Sequence, residues 1–155
     1  MTVHHFVLSG LTSFVDEFSR GFTGISFDTA THGEVIAVSL LRSDGSGVKI
    51  RVRMHDLDGR VECGVLEFSE IKSEISKKTV AALSGDFGAG ISVKRLEVDV
   101  DGITFESGIE VSGKDGVKFI IVSGAYPYTL AIDGLGLGLP FNPEYPLDEY
   151  RAIAV

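Results

Sequence analysis

The chain has no tryptophan and only one cysteine, and its first 125 residues hold neither a proline nor a tyrosine. All four prolines and all four tyrosines fall within "YPYTLAIDGLGLGLPFNPEYPLDEY", residues 126–150. The lone Cys63 rules out an internal disulfide, so nothing here asks for an oxidising compartment. No apolar run approaches the ~20 residues that span a bilayer, and "MTVHHFVLSG" lacks the basic start and cleavage site of a signal peptide. The expectation is a cytoplasmic protein with no membrane association. Basic residues are also scarce, 14 against 22 acidic, for a net charge of −8. General binding to nucleic acid needs the opposite balance, whereas a basic protein partner suits this one. From Phe119 to Tyr150 there is no lysine or arginine at all.

What is present in excess is glycine, 19 of 155 residues, against a usual share of about 7%. Asp-Gly occurs at Asp44, Asp58, Asp101, Asp115 and Asp133, each a candidate turn between strands. Between these turns the pattern has period 2. "VKIRVRMH" sets Val48, Ile50, Val52 and Met54 toward a core and Lys49, Arg51, Arg53 and His55 outward, with Glu62 or Glu67 expected across from that basic strip. "EVIAVSLLR", residues 34–42, is apolar on both faces, as a central strand is. "VHHFVLSG", "GISFDTA", "VECGVLEF", "ISVKRLEVDV", "ITFESGIEV", "VKFIIVSG" and "YTLAID" complete the strands. In "ISVKRLEVDV" the apolar phase slips near Lys94, which implies a bulge.

Two stretches have helical spacing. Leu11, Phe14, Val15 and Phe18 share a face, with Ser9 as cap and Arg20–Gly21 as stop. "SEISKKTVAALSG", from Ser73 to Gly85, is the second. The fold expected is therefore α+β: a largely antiparallel sheet of about seven or eight strands, with one or two helices. A curved or barrel-like sheet is the alternative. Residues 1–155 read as a single domain, with 134–155 an extended arm packed on it through Phe141, Tyr145 and Leu147.

Chemical motifs are weak. "EVDVDGITFESG" opens like a calcium loop but ends at Gly108, where a glutamate is needed. "GLGLGL" and "GDFGAG" lack the phosphate-loop lysine. His4, His5, His32 and His55 have no metal-ligand spacing, adjacent His4 and His5 point to opposite faces, and Cys63 sits in a strand as a buried thiol. No catalytic, metal or cofactor residue is assigned, and an enzyme is the less favoured reading. The candidate partner-binding residues are Tyr126, Tyr128, Glu144, Tyr145, Asp148, Glu149 and Tyr150. Tyrosine gives rigid contact area, and the carboxylates are expected to stay solvated and attract a basic partner.

"ESGIEV", "DGVKFIIVSGAYPYTLAI" and "FNPEYPLDEY" together resemble a set of small uncharacterised bacterial proteins with no established activity. The likeness covers residues 105–151 and implies a bacterial origin. Three functions follow as expectations: a protein-binding module of the immunity or antitoxin type, a small-molecule-binding protein or enzyme with a tyrosine-lined pocket, and a structural homo-oligomer.

Overall fold

A computed structural model describes residues 2–11, 13–57, 61–73 and 80–155. In chain order the elements are β1 (Thr2–His4), β2 (Val7–Ser9), α1 (Phe14–Ser19), β3 (Gly24–Thr29), β4 (Val35–Leu41), β5 (Gly47–Leu57) and β6 (Val61–Ile71). There follow β7 (Ala81–Ala82), β8 (Ser92–Val100), β9 (Ile103–Ser112), β10 (Lys118–Ser123), β11 (Leu130–Asp133) and β12 (Arg151–Ala154). They form two sheets of six strands, not one sheet of seven or eight. The first runs β11-β10-β9-β8-β12 with β1 alongside β9; the second runs β2-β6-β5-β4-β3-β7. Among the described residues neither closes into a barrel. Pairing is antiparallel except for β1 with β9 and β2 with β6.

The amino-terminal stretch expected to be one strand is two, each in a different sheet. Between them the Phe6 N–H donates to Glu106 Oε1 at 2.6 Å, and the Phe6 ring packs on Phe14 and Phe68. A local pattern of eight residues cannot reveal that its halves diverge.

The β5 alternation holds. Val48, Ile50 and Val52 are buried in a cluster with Leu66 and Phe68 of β6 and with Ile109, Val111 and Ile121 of the other sheet. On the outer face Lys49 pairs with Asp28 at 3.2 Å and Arg53 with Glu67 at 2.5 Å. Glu62 lies opposite Asp56 instead, off the strip. The strip also ends early: half-buried His55 meets the His4 ring, centroids 4.5 Å apart, rather than continuing an exposed face.

α1 is capped by Ser13, whose hydroxyl accepts from Asp16 N at 3.2 Å, so Ser9 is not the cap. Phe14 and Phe18 are buried with Leu11, but Val15 is 52% exposed and off that face. Of the second expected helix, residues 74–79 lie outside the described residues. Ala81–Ala82, within its span, is a strand on β3. The Asp58 turn likewise lies outside the described residues. At Asp101 and Gly102 both φ angles are positive, 50° and 79°, as a tight turn between twisted strands requires. Asp133 ends β11 but leads into the arm rather than into a paired strand.

The expected bulge exists in the β8–β9 hairpin, on the other strand. Leu96 faces Gly108 and Glu97 faces Glu106, so Ser107 of β9 is the extra residue. The slip turns Phe105 to the face opposite Ile109. Phe105 joins Cys63, Val65 and Val98 in a second cluster, while Ile109 stays in the main core.

Candidate functional site

The tyrosine- and proline-rich segment begins as β10 ends. Tyr126–Thr129 forms a turn: Thr129 N–H donates to Tyr126 O at 3.2 Å, and Thr129 Oγ1 donates to the same oxygen at 2.6 Å. Pro127 presets its own φ, and the next residue takes positive φ, the arrangement that favours glycine there. Here that residue is Tyr128, at φ +63°. A non-glycine residue in this region costs about 1–2 kcal/mol. The neighbourhood holds it in place, since Gly124 N–H donates to Thr129 O at 2.7 Å and Ala125 N–H to Asn142 O at 2.8 Å. Tyr126 and Tyr128 are each 63% exposed. Tyr128 therefore does not continue the buried face of Leu130 and Ile132.

The arm separates the other candidates. Glu144 N–H donates to Ser123 O at 2.8 Å, which fastens the arm along the end of β10. Its carboxylate is not solvated. Oε1 accepts from Gly64 N–H at 3.1 Å and from the Cys63 thiol at 3.6 Å. On β6 the β2 partner spans only Glu67–Ser69, so Gly64 lies beyond it on an open edge. Glu144 satisfies the Gly64 N–H, and the bulged Ser107 hydroxyl donates to the Gly64 carbonyl at 2.5 Å. Two side chains thus replace a missing strand, as buried backbone groups require.

Burial raises the Glu144 carboxyl pKa above its ordinary value, and burial plus the Glu144 charge push the Cys63 thiol up to about 12. A thiol held that high stays protonated and is no nucleophile at neutral pH. Desolvation likewise raises the Tyr145 and Tyr150 phenols above their usual value. Both rings pack on the Cys63–Phe105 cluster, and Phe141 packs with Tyr150 on Leu96, Val122 and Ala131.

So Glu144, Tyr145 and Tyr150 face inward and clamp the arm. Asp148 and Glu149 remain exposed, on a short 3-10 turn spanning Leu147–Glu149. Leu147, expected as an anchor, is 43% exposed; Tyr150 takes that place. The arm then ends as β12 on β8, with Arg151 paired to Asp99 and Glu97.

The expected group thus divides, and only Tyr126 and Tyr128 stand together on the surface turn. Beside them opens a cleft of about 230 Å³, walled by the β3–β4 turn on one side and the arm on the other. Val35, Leu130 and Leu139 line it together with His32, Glu34, Tyr126 and Asn142. Val35 and Leu130 are buried, Glu34 is half-buried, and among the described residues no ion pair reaches Glu34. Sequence reasoning missed His32, Glu34 and Asn142. The turn carrying the first two is some ninety residues from Tyr126, and no spacing rule connects them.

Two of the four histidines, His4 and His55, meet across the chain. The His4 ring stacks on Phe105, centroids 4.9 Å apart, and meets His55 at a tilt of 39°, while His5 Nδ1 lies 3.4 Å from Glu106 Oε2. Burial, then the His4 and Arg53 charges, lower the His55 pKa. Among the described residues no group of three or more His, Cys, Asp or Glu side chains is placed to hold a metal. Among those residues, too, no helix is long and apolar enough to cross a membrane. Set beside known protein families, curated proteins and solved structures, the chain shows no match.

Proposed function

We propose that this chain is a protein-binding module of the bacterial cytoplasm that engages a basic partner through the tyrosine turn at Tyr126–Thr129. The observation that carries the reading is the pair of tyrosines, both 63% exposed, on a turn whose backbone is strained at Tyr128 yet hydrogen-bonded on both flanks. Strain retained in a rigid, exposed turn is characteristic of binding and switch sites. Two exposed aromatic side chains on an ordered backbone, each with few rotatable bonds, are what an interface anchor needs. The acidic balance of the whole chain and the exposed Asp148 and Glu149 favour a partner of opposite charge. An immunity- or antitoxin-like inhibitor of a basic toxin is the form of this reading that best fits the charge.

The test is capture from bacterial lysate on the immobilised protein, with the Tyr126→Ser/Tyr128→Gly variant alongside. Glycine at 128 relieves the positive φ, so its melting temperature should match or exceed that of a Tyr126→Ser control. Basic proteins retained by the parent and lost by the folded double variant support the proposal. Equal retention by both, or no retained protein, refutes it.

A further inference from the structure

Resting on that reading, we infer that the cleft beside the turn is the pocket for one arginine side chain of the basic partner. At about 230 Å³ it falls below the ~300–1,000 Å³ of ordinary small-molecule sites, which suits a single long side chain better than a cofactor.

Its walls match an arginine in order. Val35 and Leu130 are buried residues of the lining and supply apolar surface for a methylene stem. Glu34 is a half-buried lining residue with no ion pair among the described residues, and a carboxylate is the group on which a guanidinium forms paired charge-assisted hydrogen bonds. Tyr126 and Asn142 also belong to the lining; an aromatic ring is a surface on which a planar cation stacks, and an amide side chain carries a further acceptor. Lysine and arginine are absent from the lining, and from the whole stretch Phe119 to Tyr150, from which six of the lining residues come. The other titratable groups in the lining are the exposed His32 and the phenol of Tyr126. Arginine is favoured over lysine because a planar fork can use the carboxylate and the ring together, which a compact ammonium cannot. The same chemistry would hold the arginine beside an interface anchored by Tyr128, so the pocket sets which partner residue is read there.

The experiment uses the intact protein and three probes, Nα-acetyl-arginine amide, Nα-acetyl-norleucine amide and Nα-acetyl-glutamine amide, followed by amide chemical shifts. The arginine probe should saturate shifts at Glu34, Tyr126 and Asn142. Norleucine, which keeps the stem and lacks the charge, should be at least about fivefold weaker, and glutamine weaker still. Glu34→Gln should weaken the arginine probe at least about threefold, and Tyr126→Leu about twofold or more. Equal shifts from norleucine, indifference to Glu34→Gln, or no shift at any of the three residues would overturn the arginine pocket. Lysate capture separates this failure from failure of the broader proposal. If Glu34→Gln retains every partner while Tyr126→Ser/Tyr128→Gly loses them, the pocket is wrong and the tyrosine interface stands. If both variants retain them, both are wrong.

Discussion

Glu144→Gln should stabilise this protein at neutral pH, although it removes a hydrogen-bonded carboxylate. Glu144 Oε1 accepts from Gly64 N–H at 3.1 Å, and a glutamine oxygen can do the same. What glutamine removes is the cost of keeping a charge out of water, which raises the carboxyl pKa above its ordinary value of 4.5. The sign follows from linkage. A carboxyl with a raised folded pKa binds its proton more tightly in the folded state. Its contribution is therefore fully present below the unfolded pKa and is lost as pH rises through the folded one. Across that window the slope for one proton reaches at most about 1.4 kcal/mol per pH unit. In a chain of this size each 1 kcal/mol moves the melting temperature by roughly 2–4 °C. Melting followed from pH 4 to pH 8 should show the parent losing ground to Glu144→Gln as pH rises, with the two closest at the acid end. Glu144→Ala is the control. It strips the acceptor from Gly64 N–H and should melt below Glu144→Gln at every pH, by about 1–3 kcal/mol for an orphaned buried donor. If Glu144→Gln instead melts below the parent at pH 7, the hydrogen bonds to the charged carboxylate outweigh its burial, and the account of the clamp fails.

Two further outcomes test the core beneath the site. Cys63 is fully buried with its thiol pKa pushed up to about 12, so a thiol-reactive dye should label it only on unfolding, and fast native labelling at neutral pH would refute this burial. Val52→Asp places a carboxylate in the main core and should cost several kcal/mol, on the order of 3 or more, whereas Arg51→Asp on the outer face should cost about 1 kcal/mol or less; equal melting losses would mean the β5 faces are reversed.

Much of the site was half legible in the sequence. Composition alone singled out residues 126–150, because a run holding every proline and tyrosine in the chain has a job the strands do not. It could not separate Tyr126 and Tyr128, which face water, from Tyr145 and Tyr150, which lie against Cys63, Phe105 and Val122. All four have the same chemistry; what distinguishes them is which surface each meets after the arm doubles back along Ser123–Ala125. Glu144 is the sharpest case. It reads as one more surface acid, yet it caps a backbone N–H some eighty residues away because β2 is too short to do so.

By itself the sequence determined the longer strands, β3–β6 and β8–β11, since period-2 alternation is a local property that any pleated surface must obey, and β5 shows it unaltered; the short β1, β2, β7 and β12 were not read as such. It determined where several turns fall, since Asp-Gly accepts the positive φ that few other pairs tolerate. Only the tertiary structure decided that those strands divide into two sheets, that the bulge falls at Ser107, and that a cleft lies between the β3–β4 turn and the tyrosine turn. The reason is physical: which strand edge meets which is settled by long-range burial and hydrogen bonding, and those leave no periodic trace in the chain.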